Sequence, residues 1–235
     1  MNATLVAAFL RQRFTSPMRL GLLFLLVTFP LGASALMRTL EPLTGLAGPL
    51  ALILAAGGIG QDVSSGTLQL LLVRPVSRPS LLVSRWLACV LAAVVMVVGL
   101  LALGTIALLL RGTHPDGLDL VRIVLESACS AAGHAAVMLM LSTLVNGLGD
   151  LGLYVATFFV TQMLSGLAML QHWPWLARAS TEAQRVLDAQ LAWAWLVHGT
   201  APSWFAIASW ASTLTLALAV AIYSLNRREL SYAAG

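Results

Sequence analysis

The side chains in this sequence that could do chemistry fall into three groups. The first is a polar stretch between two apolar runs, from Asp62 to Arg85. Gly66 would break a preceding helix there, and Thr67 would cap a new one. Leu68, Leu70, Leu71 and Leu72 would give that helix an apolar face. Pro75 would end it, because the residue before a proline is pushed out of helical geometry. Ser77 or Ser80 could cap the next helix, with Pro79 near its start, and Asp62 could pair with Arg78 or Arg74 across the turn. A short leucine-faced helix with charged ends is what a soluble partner needs to grip a lipid-embedded chain; the plainer reading is an ordinary capped loop. The second group is polar residues inside apolar runs: His134 with Glu126 in one run, and Gln162 beside Thr157, Thr161 and Ser165 in the next. Ionisable groups at membrane depth are expensive and mark pathways or relays. The alternative is that they bond neighbouring helices, or, for Glu126, that it reaches the interface near Arg122. The third group, His114, His172 and His198, is scattered singly without metal-ligand spacing.

Several chemistries are disfavoured. There is no Gly-x-x-x-x-Gly-Lys-Ser/Thr loop, and all 13 basic residues are arginine. Gly57-Gly58-Ile59-Gly60 has no lysine to meet a phosphate and reads as helix packing. An intramembrane serine protease needs Gly-x-Ser-Gly, but Met163-Leu164-Ser165-Gly166 lacks the first glycine. Cys89 and Cys129 lie in apolar runs and read as small packing residues rather than a disulfide. The arginines stand at the borders of apolar runs instead of clustering on a solvated face, which argues against nucleic acid as a partner.

The elements that must position these residues follow from composition. The chain has 235 residues, 59% hydrophobic and 9% charged, against about 25% charged in soluble domains. Its solvent is therefore lipid. Six runs approach the roughly 20 residues a spanning helix needs: 18–36, 43–60, 86–110, 123–146, 151–170 and 203–225. The expectation is an all-α polytopic fold, one transmembrane domain over 1–235. The second run is the weakest helix, interrupted by Gly45, Gly48, Pro49, Gly57 and Gly58. Gly147, Gly149 and Asp150 would turn the chain between the fourth and fifth. Arginine placement orients the bundle. Arg11, Arg13, Arg19, Arg74, Arg78, Arg85, Arg227 and Arg228 fall on the side of both termini, against Arg38, Arg111, Arg122, Arg178 and Arg185 on the other. That bias puts both termini and segment 61–85 in the cytosol.

Two further segments read as interfacial. Within 1–17, Leu5, Val6, Phe9 and Leu10 recur at helical spacing before Arg11 and Arg13, as in an amphipathic helix lying on a leaflet, ended by Ser16-Pro17. A signal peptide cleaved near Ala33-Ser34-Ala35 is the alternative. Across 172–202, Ser180 or Thr181 would cap a helix with Glu182 in its first turn. Val186, Leu187, Leu191 and Trp195 would form its apolar stripe. Trp173, Trp175, Trp193, Trp195 and Trp204 suggest an aromatic belt.

The stretch from Asp62 also resembles the loop between spans 2 and 3 of ABC-2-type transporter permeases. In those proteins an acid precedes Gly-Thr-Leu-(Glu/Gln)-Leu-Leu-Leu, then Pro-Val-Ser-Arg, then a basic residue opening the next span. Asp62, Gly66, Thr67, Leu68, Gln69, Leu70, Leu71, Pro75, Val76, Ser77, Arg78 and Arg85 match; Ser64 departs from the second acid many members carry. The resemblance implies a permease subunit of a bacterial ABC exporter in the inner membrane. Asp62, Gly66, Thr67, Leu68, Leu71, Pro75 and Arg78 would then couple it to a separate ATP-binding subunit that holds the ATP and magnesium, leaving no cofactor in this chain. It implies an elbow helix at 1–17, and short outer helices before span 6 that dip back into the membrane; a plain surface helix is the other reading of 172–202. It also implies a second permease copy or paralogue, paired through spans 1 and 5. A haem-exporter-like subunit of cytochrome c assembly is a related alternative, and a passive channel or scaffold a more distant one.

Overall fold

Proline and glycine set the element boundaries in the computed structural model, which describes residues 3–64, 77–145, 149–199 and 203–227. Helix α1 (Ala3–Phe14) ends before Ser16, which stands at the N-cap of α2 (Pro17–Met37) with Pro17 in its first turn. After a 3-10 turn at Glu41–Leu43 comes α3 (Ala47–Ala55), a break, and α4 (Gly60–Ser64). Gly57 supplies the break with a φ of 64°, a left-handed geometry that glycine adopts at little cost. Helix α5 (Arg78–Leu109) starts with Ser77 at its N-cap and Pro79 in its first turn, although the serine hydroxyl makes no capping bond. Then follow α6 (Gly117–Leu144), α7 (Gly149–Gln171), α8 (Pro174–Leu187), α9 (Ala194–His198) and α10 (Trp204–Arg227). No strand occurs among the described residues.

Six of these units are long and apolar enough to cross a membrane. Span 1 is α2, span 2 the broken unit Glu41–Asp62, and spans 3 to 6 are α5, α6, α7 and α10. Spans 2 and 4 form the centre, with 72% and 67% of their most apolar windows buried, against 11%, 17% and 11% for spans 1, 5 and 6. Small residues make that centre possible. Ala47, Ala51 and Ala55 of span 2 and Ala131, Ala135 and Ala136 of span 4 are fully buried, so the two backbones can approach closely. At Gly48 the approach is closest: a Cβ there would stand 2.7 Å from His134 Cε1 and from Ser130 Oγ. Phe24 and Phe29 on span 1, Phe159 and Met163 on span 5 and Leu216 on span 6 stay exposed, apolar surface for lipid or another subunit.

We call the end holding α1, Asp62, Arg78 and the C-terminal turn of span 6 proximal, and the opposite end distal. Helix α1 lies against span 3 and buries Phe9. Helix α8 packs antiparallel to span 5. Ser180 meets Ser165 at 3.4 Å, and the Tyr154 hydroxyl donates to the Leu187 carbonyl at 3.1 Å. Since Tyr154 lies in the proximal part of span 5, α8 returns most of the way through the bundle. Its 14 residues cover about 21 Å.

Candidate functional site

The proximal site is built around the break in span 2. A broken helix in lipid leaves backbone groups with no water to satisfy them. Here side chains from five other helices do so. Asp150 Oδ2 of span 5 accepts from Gly57 N at 2.7 Å. Ser142 Oγ of span 4 accepts from Ile59 N and Gly60 N at 2.9 and 3.0 Å. The Ala56 carbonyl receives Arg13 of α1 at 2.8 Å and Arg19 of span 1 at 3.3 Å. Arg85 of span 3 donates to the Gly58 carbonyl and to Asp62 Oδ2, so one guanidinium ties both sides of α4 to span 3. Arg85, Asp62 and Asp150 are all buried. The Phe9 ring receives two cations, with the guanidinium carbons of Arg13 and Arg85 4.6 and 5.4 Å from its centroid, a favourable quadrupole contact. Burial first, and then the nearby Arg19 guanidinium, pushes Arg13 down to about 10, which still leaves it charged at neutral pH.

This site flanks the segment singled out by its sequence. Residues 65–76 lie outside the described residues, and with them Gly66, Thr67, Leu68, Leu71, Arg74 and Pro75. Their two borders are described. On one side Asp62 pairs with Arg85 instead of Arg78, while Arg74, the other expected partner, lies outside the described residues. On the other, Arg78 donates to the carbonyls of Leu225 and Asn226 at 3.0 Å, reaching the end of span 6. The reason is register: Arg85 lies two turns into span 3, level with α4, while Arg78 sits at the tip beside span 6.

At the distal site the chain after α8 runs back outward along span 4. Asp188 Oδ1 stands 3.2 Å from His134 Nε2, an ion pair only when the ring carries both protons, since Nδ1 already faces the Ser130 carbonyl at 2.8 Å. Ala189 presses on Gly133, where a Cβ would lie 2.1 Å from the Ala189 carbonyl oxygen. Glu126 Oε1 then accepts from Trp193 N at 2.8 Å, and the Trp193 indole reaches Cys129 Sγ at 3.4 Å. Two open cavities flank this segment. One, of about 210 Å³, is lined by Arg185, Asp188, Gln190, Phe205 and Trp210. The other, of about 320 Å³, is lined by Thr44, Gly45, Glu126, Gln190 and Leu191.

Of the candidate pathway residues, His134 and Glu126 are thus brought together by the returning segment. The other Glu126 oxygen meets Arg122, the neighbour expected for it, at 3.4 Å, and Arg122 also holds Glu41 at 2.7 Å. Gln162 is apart, exposed on span 5, while Thr157 and Thr161 bond carbonyls of their own helix. Two expectations are corrected. Helix α8 begins at Pro174 after Trp173, not at Ser180 or Thr181. Proline's fixed φ favours the first turn, and both hydroxyls bond back to Ala177 within the helix. Asp150 is not in an open turn; it is buried in the first turn of span 5, serving span 2. Arg13, Arg19 and Ser142 were not singled out by sequence. The available signal was the weakness of span 2, whose backbone groups had to be met by something. Cys89 and Cys129 are free, and no metal-ligand cluster occurs among the described residues.

A broken second span, a polar node beside the segment joining spans 2 and 3, and a helix returning before span 6 together describe a polytopic helical membrane protein. A family model described as ABC-2 family transporter protein matches residues 8–230. The chain therefore belongs to that family, as a multi-pass membrane permease subunit of an ABC transporter. No curated protein matches it.

Proposed function

We propose that this subunit is driven by ATP hydrolysis on a separate subunit, received through residues 65–76, and that it exports its substrate. The observation that carries the reading is the double clamp on that segment: Asp62 is tied to Arg85, and Arg78 to the end of span 6. A push on the segment would move spans 2, 3 and 6 as one body. Gly66, Thr67, Leu68, Leu71 and Pro75 would form the docking helix, between the anchors Asp62 and Arg78. The proximal end faces the cytosol of a bacterium, at its inner membrane, with both termini inside and α1 as the elbow. ATP and magnesium sit on the partner. A second permease copy or paralogue covers the exposed faces of spans 1 and 5, with Gln162 on that surface and His134 and Glu126 holding the distal gate.

The test is Leu71→Asp in the complex reconstituted with its ATP-binding subunit. The variant should stay in the membrane while ATP hydrolysis drops to the level of the free ATPase, about tenfold or more if one apolar anchor is lost. Hydrolysis at the unaltered rate would refute coupling through this segment. Topology is checked separately: Ser77→Cys should react with an impermeant thiol reagent from the cytosolic side alone.

A further inference from the structure

A cavity of about 300 Å³ opens at the proximal end between α1, span 1 and span 2, lined by Gln12, Met18, Arg19, Leu22, Ile53 and Leu151 among others. Its wall is divided. Met18, Leu22, Ile53 and Leu151 are apolar, and Arg19 with Gln12 supplies a polar mouth. Arg19 is only part-buried there, and among the described residues its bonds use one nitrogen, donating to Ala56 O and Gln61 Oε1, both neutral acceptors. A guanidinium has five donors, so most remain for a ligand. The charge balance points the same way. Arg13, Arg19 and Arg85 face Asp62 and Asp150; Arg85 takes Asp62, and neither Arg13 nor Arg19 has a carboxylate within ion-pair distance among the described residues. Asp150 spends its oxygens on backbone N–H groups. The node thus sets three guanidiniums against two carboxylates, and Arg19 is the guanidinium that stands at the mouth of an apolar cleft.

We infer that this cavity binds an anionic phospholipid, its phosphate on Arg19 and Gln12 and its upper acyl chain against Met18, Leu22 and Ile53. Guanidinium and phosphate match in charge and donor geometry, and basic pockets between spanning helices recognise anionic headgroups. A zwitterionic lipid would bring its own cation to the same mouth. The inference needs a chain that spans a membrane and a second copy on spans 1 and 5 that leaves this cleft open; it does not depend on ATP coupling.

The experiment is native mass spectrometry of the purified full chain after incubation with equimolar phosphatidylglycerol and phosphatidylcholine. The chain should retain phosphatidylglycerol about fivefold over phosphatidylcholine, the preference one basic residue at an anionic surface commands. Arg19→Gln should bring the ratio near one, and Arg19→Lys should keep most of it. Ile53→Trp, which narrows the apolar part and leaves the guanidinium in place, should lower phosphatidylglycerol retention even if Arg19→Gln fails to fold. Arg11→Gln, on the exposed side of α1, should change nothing. The inference is overturned if the preference survives both Arg19→Gln and Ile53→Trp, or if Arg11→Gln abolishes it equally. It also fails if inorganic phosphate displaces the lipid, or if Leu22→Cys cross-links two copies and no lipid is retained, since the cavity is then a seam between subunits.

Discussion

At the proximal end, three guanidiniums and two carboxylates converge on the break in span 2; the returning segment, which runs from mid-bundle to the distal end, rests on His134–Asp188, on Glu126 beneath Trp193 N, and on a glycine. The partners differ in burial more than in number. The side chains of Arg85 and Asp62 are 5% and 6% exposed, those of His134 and Asp188 5% and 46%. Asp188 is therefore open on one side to the cavity it lines, whereas both members of the proximal pair are enclosed. The proximal bonds also run largely from side chains to otherwise orphaned backbone, so losing one exposes two groups. The lesson is an asymmetry of stiffness: the end beside residues 65–76 is built to move as a block, and the distal end to yield.

The sharpest way to break that comparison is Asp62→Asn, which leaves the Arg85 cation buried and without its counter-charge. It should destabilise the chain by about 3–5 kcal/mol, read as a large fall in the melting temperature of the purified protein in detergent. Next comes Ser142→Ala, which removes the acceptor for Ile59 N and Gly60 N. A loss of about 1–3 kcal/mol is expected; a neutral result would mean that the break in span 2 is satisfied by other means. The smallest effect belongs to Asp188→Asn at the distal end. A half-exposed pair contributes less than about 1 kcal/mol, so thermal stability should barely move, while a cysteine at Ala189 becomes more reactive as the segment lifts from Gly133. If Asp188→Asn cost as much as Asp62→Asn, the two ends would be equally rigid and the asymmetry would be gone.

Much of this was legible in the chain before any coordinates. Apolar runs indicate the six spans, and Ser16-Pro17 and Ser77 or Ser80 with Pro79 mark helix starts, because these signals are local; span 3, expected from 86, begins at Arg78. Glycines marked span 2 as the weak one. What they could not indicate is that Arg13, Arg19, Arg85, Ser142 and Asp150 would meet there. Those residues come from five helices, and only the packing of spans 2 and 4 brings them into register. Asp62 was picked out as a charge in need of a partner, yet the partner was set by the axial level of α4 against span 3. At the distal end a hydroxyl pair was read as a cap, whereas Trp173-Pro174 starts the helix earlier. Starting there, the helix ends at Leu187, which sets Asp188 against His134.

Gly57 N–H finds its acceptor on Asp150, 93 positions later in the chain. During synthesis, span 2 therefore enters the membrane with backbone groups that nothing yet satisfies, and it stays incomplete until the fifth span has been inserted. Nascent chains cut short before that point carry an exposed polar defect in the bilayer, the kind of flaw by which a membrane protease could tell an unfinished molecule from a finished one.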